Sequence, residues 1–139
     1  MSNQKKDNYS NTHRAVYNLT VHIVFVTKYR RKVITGVMLT RLADVFQSIA
    51  AKWDAKLLEF NGESDHVHLL ISYPPHKLLS NLIANLKSTS SKTMWKEFAS
   101  EVSATYNKRV FWKGSYFVAS CGGVTIEQLK KYVHAPRLP

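Results

Sequence analysis

Apolar and polar positions along the first half of the chain follow patterns that predict three strands and one helix. Residues 19–26 (LTVHIVFV) are almost all apolar and rich in β-branched side chains, which is typical of a central strand covered on both faces. Apolar residues at helical spacing over residues 38–53 predict an amphipathic helix. Residues 57–60 and 66–73 are predicted to form a β-hairpin across the turn-forming residues 61–65 (NGESD).

The second half of the chain is predicted to add two helices and one strand. A long helix with one apolar face is expected over residues 79–98, and a fourth strand over residues 110–119. Thr125 and Gln128 form a capping box that opens a last helix, which Pro136 ends. The order β-α-β-β-α-β-α predicts an α+β, ferredoxin-like fold. In that fold a four-stranded antiparallel sheet carries its helices on one face, here with a further C-terminal helix.

The length of the chain predicts one folded domain. A chain of 139 residues is long enough for one hydrophobic core and short for two. Residues 1–12 are polar and have no apolar periodicity, so we expect a disordered N-terminal arm there. Residues 13–139 are then predicted to form a single domain.

The charge balance indicates a partner class. The chain has 20 lysine and arginine residues against 9 aspartate and glutamate residues, a net charge of +11. Such an excess favours binding to nucleic acid phosphates, although a basic protein without a special ligand has the same composition. With no long apolar run and no leader sequence, we expect no membrane contact and a cytoplasmic location. The single Cys121 excludes an internal disulfide and thiol-rich zinc sites, and is more typical of a buried small residue than of a nucleophile.

Two histidines in the predicted hairpin are candidate metal ligands. Side chains alternate along a strand, so His66 and His68 point to the same face, about 7 Å apart along the chain. A strand with two packing histidines would show the same pattern. Glu63 and Asp65 lie just before the pair. Together these groups favour a divalent ion such as Mg²⁺ or Mn²⁺, provided that a substrate supplies phosphate oxygens.

Tyr132 is a candidate nucleophile in the last predicted helix. It follows Lys130 and Lys131 and precedes the apolar Val133. On spacing alone, a tyrosine at this position is more typical of a half-buried packing residue. A phenol with a pKa of about 10 is a weak nucleophile at neutral pH, so covalent chemistry would need a polarised phosphate, nearby lysines, or both.

Basic and aromatic residues are interleaved in three places, which suits single-stranded nucleic acid because cations follow the backbone while rings stack on unpaired bases. Solvated charged surfaces give the same pattern. The candidate DNA-binding residues are Lys28, Tyr29, Arg30 and Arg31, then Lys92 and Lys96 on either side of Trp95, and Lys113 after Trp112.

Three segments together resemble the TnpA-type single-tyrosine transposases of insertion sequences, which belong to the HUH class (histidine, hydrophobic residue, histidine). They are DHVHLL at residues 65–70, TKYR at residues 27–30, and Tyr132 after QLKK. The resemblance runs from Ala15 to His134. It implies that His66 and His68 bind the metal, and that Tyr132 attacks single-stranded DNA to form a 5′-phosphotyrosine link and a free 3′-hydroxyl. It also implies a homodimer that recognises DNA hairpins.

One position departs from the pattern of this family. The third metal ligand, usually a glutamine, stands four residues after the tyrosine, where this chain has Pro136. Glu63, Asp65 or His134 could take its place. Two rival functions stay open: a domesticated or inactive hairpin DNA-binding protein of the same fold, which Pro136 supports, and a metal hydrolase that uses activated water, in which Tyr132 only packs.

Overall fold

A computed structural model describes residues 18–121, which form one four-stranded antiparallel sheet with three α-helices. The strands are β1 (Leu19–Val26), β2 (Lys56–Glu63), β3 (His66–Tyr73) and β4 (Phe117–Ser120), and the helices are α1 (Gly36–Lys52), α2 (Leu79–Glu97) and α3 (Ala99–Thr105). A single 3₁₀ turn, Lys28–Arg30, follows β1.

The order of the strands across the sheet is β2-β3-β1-β4, and each strand is antiparallel to its neighbours. α1 connects β1 to β2, and α2 with α3 connects β3 to β4. This arrangement confirms the predicted α+β, ferredoxin-like fold. β1 has the predicted bounds because its run of apolar, β-branched residues is buried over most of its length.

The two faces of the sheet have different surroundings. Odd-numbered residues of β1 and β3, such as Ile23 and Leu69, pack with residues of α1 and α2 in the main core. Even-numbered residues, among them His22, His68 and Leu70, lie on the opposite face and are also buried. The histidines of β3 therefore stand on the face of the sheet that does not carry α1 and α2.

The structure corrects three details of the predicted elements. β2 continues to Glu63, so only Ser64 and Asp65 form the hairpin turn, because the polar residues before them still pair with β3. The long helix ends at Glu97, and a short α3 follows it. The strand predicted over residues 110–119 was wrong for most of its length.

In that segment the side chains of Phe111 and Trp112 are buried, and only one isolated bridge, between Thr27 and Trp112, precedes β4. Aromatic residues gave this stretch its strand-like composition, but they fill the core instead of alternating across a sheet.

The predicted disordered arm, the last helix and Tyr132 lie outside the described residues, so the predicted domain boundaries stay a prediction. As predicted, Cys121 is buried, and this burial raises the pKa of its thiol. Among residues 18–121, no helix is both long and apolar enough to cross a bilayer.

Candidate active site

His66 and His68 stand side by side at the start of β3. Their rings are nearly perpendicular, with an interplanar angle of 83° and 5.0 Å between ring centroids. His66 is partly exposed, whereas His68 is buried. The structure therefore brings the two predicted ligands together at the hairpin end of the sheet.

The Nδ1 atom of each histidine contacts a different neighbour. His66 Nδ1 lies 2.7 Å from Oδ1 of Asp65, and His68 Nδ1 lies 3.1 Å from Nε2 of His22. A histidine that uses Nδ1 in this way has Nε2 as its metal-binding nitrogen. Imidazole nitrogens are ligands that a divalent cation accepts together with oxygen atoms.

The charges around the pair differ between the two histidines. Burial acts to raise the pKa of Asp65, but the hydrogen bond and charge of His66, together with Arg30, outweigh it and lower this pKa. Asp65 is therefore a carboxylate near neutral pH. Burial also lowers the pKa of His22 to about 4, which keeps that imidazole neutral.

Neither candidate carboxylate completes a three-ligand cluster. The Asp65 carboxylate contacts His66 Nδ1. Glu63 is exposed at the end of β2, where it stands opposite His66 in the strand register. Within residues 18–121, no three histidine, cysteine or acidic side chains form a group that could hold a metal ion. His134, Tyr132 and Pro136 lie outside the described residues.

The basic segment of residues 28–31 lies directly beside the histidine hairpin. Buried Thr27 joins the two: its backbone N–H donates to Asp65 O at 3.0 Å, and its hydroxyl donates to Arg31 O at 2.6 Å. Arg30 Nε lies 3.7 Å from Asp65 Oδ2. Arg30 thus lies close to the same Asp65 carboxylate that contacts His66.

The backbone of this basic segment is in an uncommon conformation. Tyr29 and Arg30 both have positive φ angles, 59° and 53°. Non-glycine residues seldom adopt this region, and such strain is often found at functional sites. Tyr29 is 69% exposed, and Lys28 Nζ lies 5.4 Å from the centroid of its ring.

Of the other predicted DNA-binding residues, only Lys113 lies beside this segment. Its backbone N–H donates to Val26 O, at the end of β1, with a distance of 2.7 Å. Lys92 and Lys96 lie one turn apart on the exposed side of α2, in the helix layer on the other face of the sheet from the histidines.

Two residues near the site were not among the predicted site residues. Lys87 of α2 donates to the carbonyl oxygens of Lys113 and Gly114, both at 2.9 Å, and burial together with the charge of Lys28 lowers its pKa. His22 lies beside His68. The polar ring of His22 inside an apolar strand was the available signal, but its partner depends on the register between β1 and β3.

Comparisons with known proteins place the chain in a family. The sequence model of the family described as "Transposase IS200 like" matches residues 15–136. The ISDra2 transposase TnpA of Deinococcus radiodurans is 28% identical over 120 residues, which cover 86% of this chain and 85% of that protein.

Two solved structures have a similar fold. A putative transposase from Deinococcus radiodurans R1 superposes with a TM-score of 0.73 and 26% identity, covering 89% of this chain and 95% of that one. A REP-associated tyrosine transposase bound to a REP hairpin has a TM-score of 0.53 and 11% identity, covering 89% and 68%, and shares the fold. The chain belongs to the IS200-like transposase family.

Proposed function

We propose that this chain cleaves and rejoins single-stranded DNA at the ends of an insertion sequence, with Tyr132 as the nucleophile. The observation that carries the proposal is the perpendicular pair of His66 and His68, each with Nδ1 held by a neighbour, beside a strained basic segment. This combination offers a cation site and a phosphate-binding surface at one end of the sheet.

His66 and His68 are the proposed ligands of Mg²⁺ or Mn²⁺. The ion, when bound, polarises the scissile phosphate and stabilises negative charge on the departing oxygen. The third protein ligand is open among Glu63, Asp65 and His134. The hydrogen bond of Asp65 to His66 favours a supporting role for this carboxylate over direct ligation.

Tyr132 supplies the covalent step. Its phenol oxygen attacks the phosphorus, the bond between phosphorus and the 3′ oxygen breaks, and the products are a 5′-phosphotyrosine and a free 3′-hydroxyl. The phenol loses its proton and the departing oxygen gains one. Attack by a later 3′-hydroxyl reverses the step and joins new ends without ATP. Because one tyrosine serves one DNA end, two ends need a homodimer.

The basic segment is the proposed path of the DNA strand next to the cleaved bond. Lys28, Arg30, Arg31 and Lys113 contact phosphates, while the exposed ring of Tyr29 stacks on an unpaired base. Lys92 and Lys96 lie in the helix layer and are proposed to contact DNA away from the histidines. A structural neighbour of the same fold is bound to a REP hairpin, which supports the proposal of hairpin recognition here.

A domesticated or inactive hairpin-binding protein is the alternative, and Pro136 favours it, because proline has no side-chain ligand atom. Reaction products separate the two functions. We expect single-stranded DNA carrying the end hairpin, incubated with Mg²⁺ or Mn²⁺, to form a protein–DNA adduct that survives denaturant. Tyr132→Phe should abolish the adduct, and His66→Ala should reduce it strongly, while Tyr116→Phe serves as the matched tyrosine control.

Two outcomes would overturn the proposal. Cleaved DNA with free 5′ ends and no adduct would indicate hydrolysis by activated water, with Tyr132 as a packing residue. Bound but intact DNA at every metal concentration would indicate the non-catalytic protein.

A further inference from the structure

His22 of β1 lies against His68 on the buried face of the sheet that does not carry α1 and α2. In the register of β1 with β3, His68 stands opposite Val24, so His22 is its diagonal neighbour. His22 and His68 are 3% and 6% exposed, and His22 Nε2 is 3.1 Å from His68 Nδ1. The pair is therefore held in place by two central strands and shielded from water.

The planes of the two rings are nearly parallel. Their interplanar angle is 8° and their centroids are 5.3 Å apart. Because the nitrogen–nitrogen contact spans most of that distance, the rings meet edge to edge, as a hydrogen bond between ring nitrogens requires. The ring of Phe117 in β4 meets His22 at an interplanar angle of 69° and a centroid distance of 5.7 Å, and limits its rotation.

Counting protons on the two rings gives the direction of this hydrogen bond when His68 is a ligand. A neutral imidazole carries one proton, on either Nδ1 or Nε2. If His68 Nε2 faces a cation, the proton must be on Nδ1, which donates to His22 Nε2. His22 then carries its own proton on Nδ1. Each ring has one defined tautomer in this arrangement.

We propose that His22 is a positioning residue that sets the tautomer and the ring plane of His68, and so orients its Nε2 toward the metal. This inference rests on the proposed role of His68 as a ligand. His22 contacts Nδ1 of His68 in the same way that Asp65 contacts Nδ1 of His66. The two neighbours differ in charge. The partly exposed His66 contacts the carboxylate of Asp65, whereas the buried His68 contacts the neutral ring of His22. A carboxylate in place of His22 would put an unpaired charge in a buried site.

The first experiment measures Mn²⁺ binding to the full-length protein without DNA, by the loss of the electron paramagnetic resonance signal of free Mn²⁺. We expect His22→Leu, which fills the space but accepts no hydrogen bond, to weaken Mn²⁺ binding about 10–100-fold. His22→Gln, whose side-chain oxygen can accept from Nδ1, should lose less. Thr20→Val, on the same face of β1, is the matched control and should bind like wild type.

A double-variant series separates positioning from packing. In a His68→Ala background, His22→Leu should cause no further loss of Mn²⁺ affinity, because its effect passes through His68. Nitrogen-15 nuclear magnetic resonance of the metal-free protein gives a second readout that does not depend on metal. It should show His68 with its proton on Nδ1 in wild type, and a shift toward the Nε2-protonated form in His22→Leu.

Unchanged Mn²⁺ affinity and an unchanged His68 tautomer in folded His22→Leu would overturn the inference and leave His22 as a packing residue. If instead His66→Ala and His68→Ala both bind Mn²⁺ like wild type, the histidines are not ligands, and the inference fails with the proposed metal site. The variants His66→Ala and His68→Ala therefore test the proposed metal site, and the His22 variants test the inference.

Discussion

Oδ1 of Asp65 lies 2.7 Å from Nδ1 of His66, across a single peptide bond at the tip of the β2–β3 hairpin. The same carboxylate faces Arg30 from the basic segment at 3.7 Å. Asp65 thereby connects a proposed metal ligand with a proposed DNA contact. This relationship makes the hairpin turn part of the proposed site.

The first prediction concerns this carboxylate. Asp65→Ala removes the acceptor for His66 Nδ1–H, so we expect Mn²⁺ affinity to fall about 10–100-fold. Asp65→Asn keeps an acceptor oxygen and should lose less. Calorimetric titration checks both, with the exposed Asp54→Asn as the matched control. Equal, complete loss of binding in both Asp65 variants would instead identify Asp65 as a direct ligand.

A second prediction concerns Gly62, which lies in β2 opposite Val67. A Cβ atom at this position would lie 2.9 Å from His66 O, Leu39 Cδ1 and Val67 Cγ1. The carbonyl oxygen belongs to the β3 backbone and cannot move aside without shifting His66. We expect Gly62→Ala to lower the free energy of unfolding by about 1–3 kcal/mol and to weaken Mn²⁺ binding.

Gly36→Ala is the matched control for this change. It lies at the first residue of α1, and a Cβ there meets nothing within 4 Å. Alanine restricts the unfolded chain, so this variant should be as stable as wild type or up to about 1 kcal/mol more stable. Urea unfolding curves that coincide for the two variants would contradict the steric argument.

The third prediction concerns pH and the ion pair of Arg41 with Glu97, which joins α1 to the end of α2 at 2.7 and 3.0 Å. The hydrogen bond from Arg41 lowers the pKa of Glu97 from its ordinary 4.5. The stabilising contribution is therefore full at neutral pH and is lost as pH falls through that lowered value.

We expect Glu97→Gln to have a slightly lower Tm than wild type at pH 7 and low salt. The difference should shrink in high salt, which screens exposed charges, and should vanish in acid once Glu97 is protonated. Glu101→Gln, an exposed glutamate on α3, is the control. A Tm difference that persists unchanged in acid would show that the ion pair is not its cause.

The order of most elements was predictable because local patterns decide it. The apolar run of β1 and the helical spacing of Met38, Leu42 and Phe46 in α1 match the burial in the structure. The common face of His66 and His68 followed from alternation along one strand. The contact between His22 and His68 did not, because it depends on how two distant strands pair, and no local pattern encodes that register.

The segment over residues 110–119 shows the opposite case, in which a local pattern misleads. Its aromatic residues favour a strand, yet Trp112 turns into the core and its indole N–H donates to the hydroxyl of Ser90 at 2.9 Å. Ser90 donates in turn to Leu86 O, one turn earlier in α2, at 2.6 Å. A long-range polar contact thus competes with strand propensity.

The last prediction tests that contact. Ser90→Ala leaves the buried indole N–H of Trp112 without its acceptor, so we expect the free energy of unfolding to fall by about 1–3 kcal/mol. Ser91→Ala, at the neighbouring half-exposed position, should change it little. In Trp112→Phe, which has no N–H to satisfy, adding Ser90→Ala should cost clearly less than it does in wild type, because the two residues act through one hydrogen bond. Strictly additive losses in urea unfolding would mean that the hydrogen bond does not hold this segment against α2.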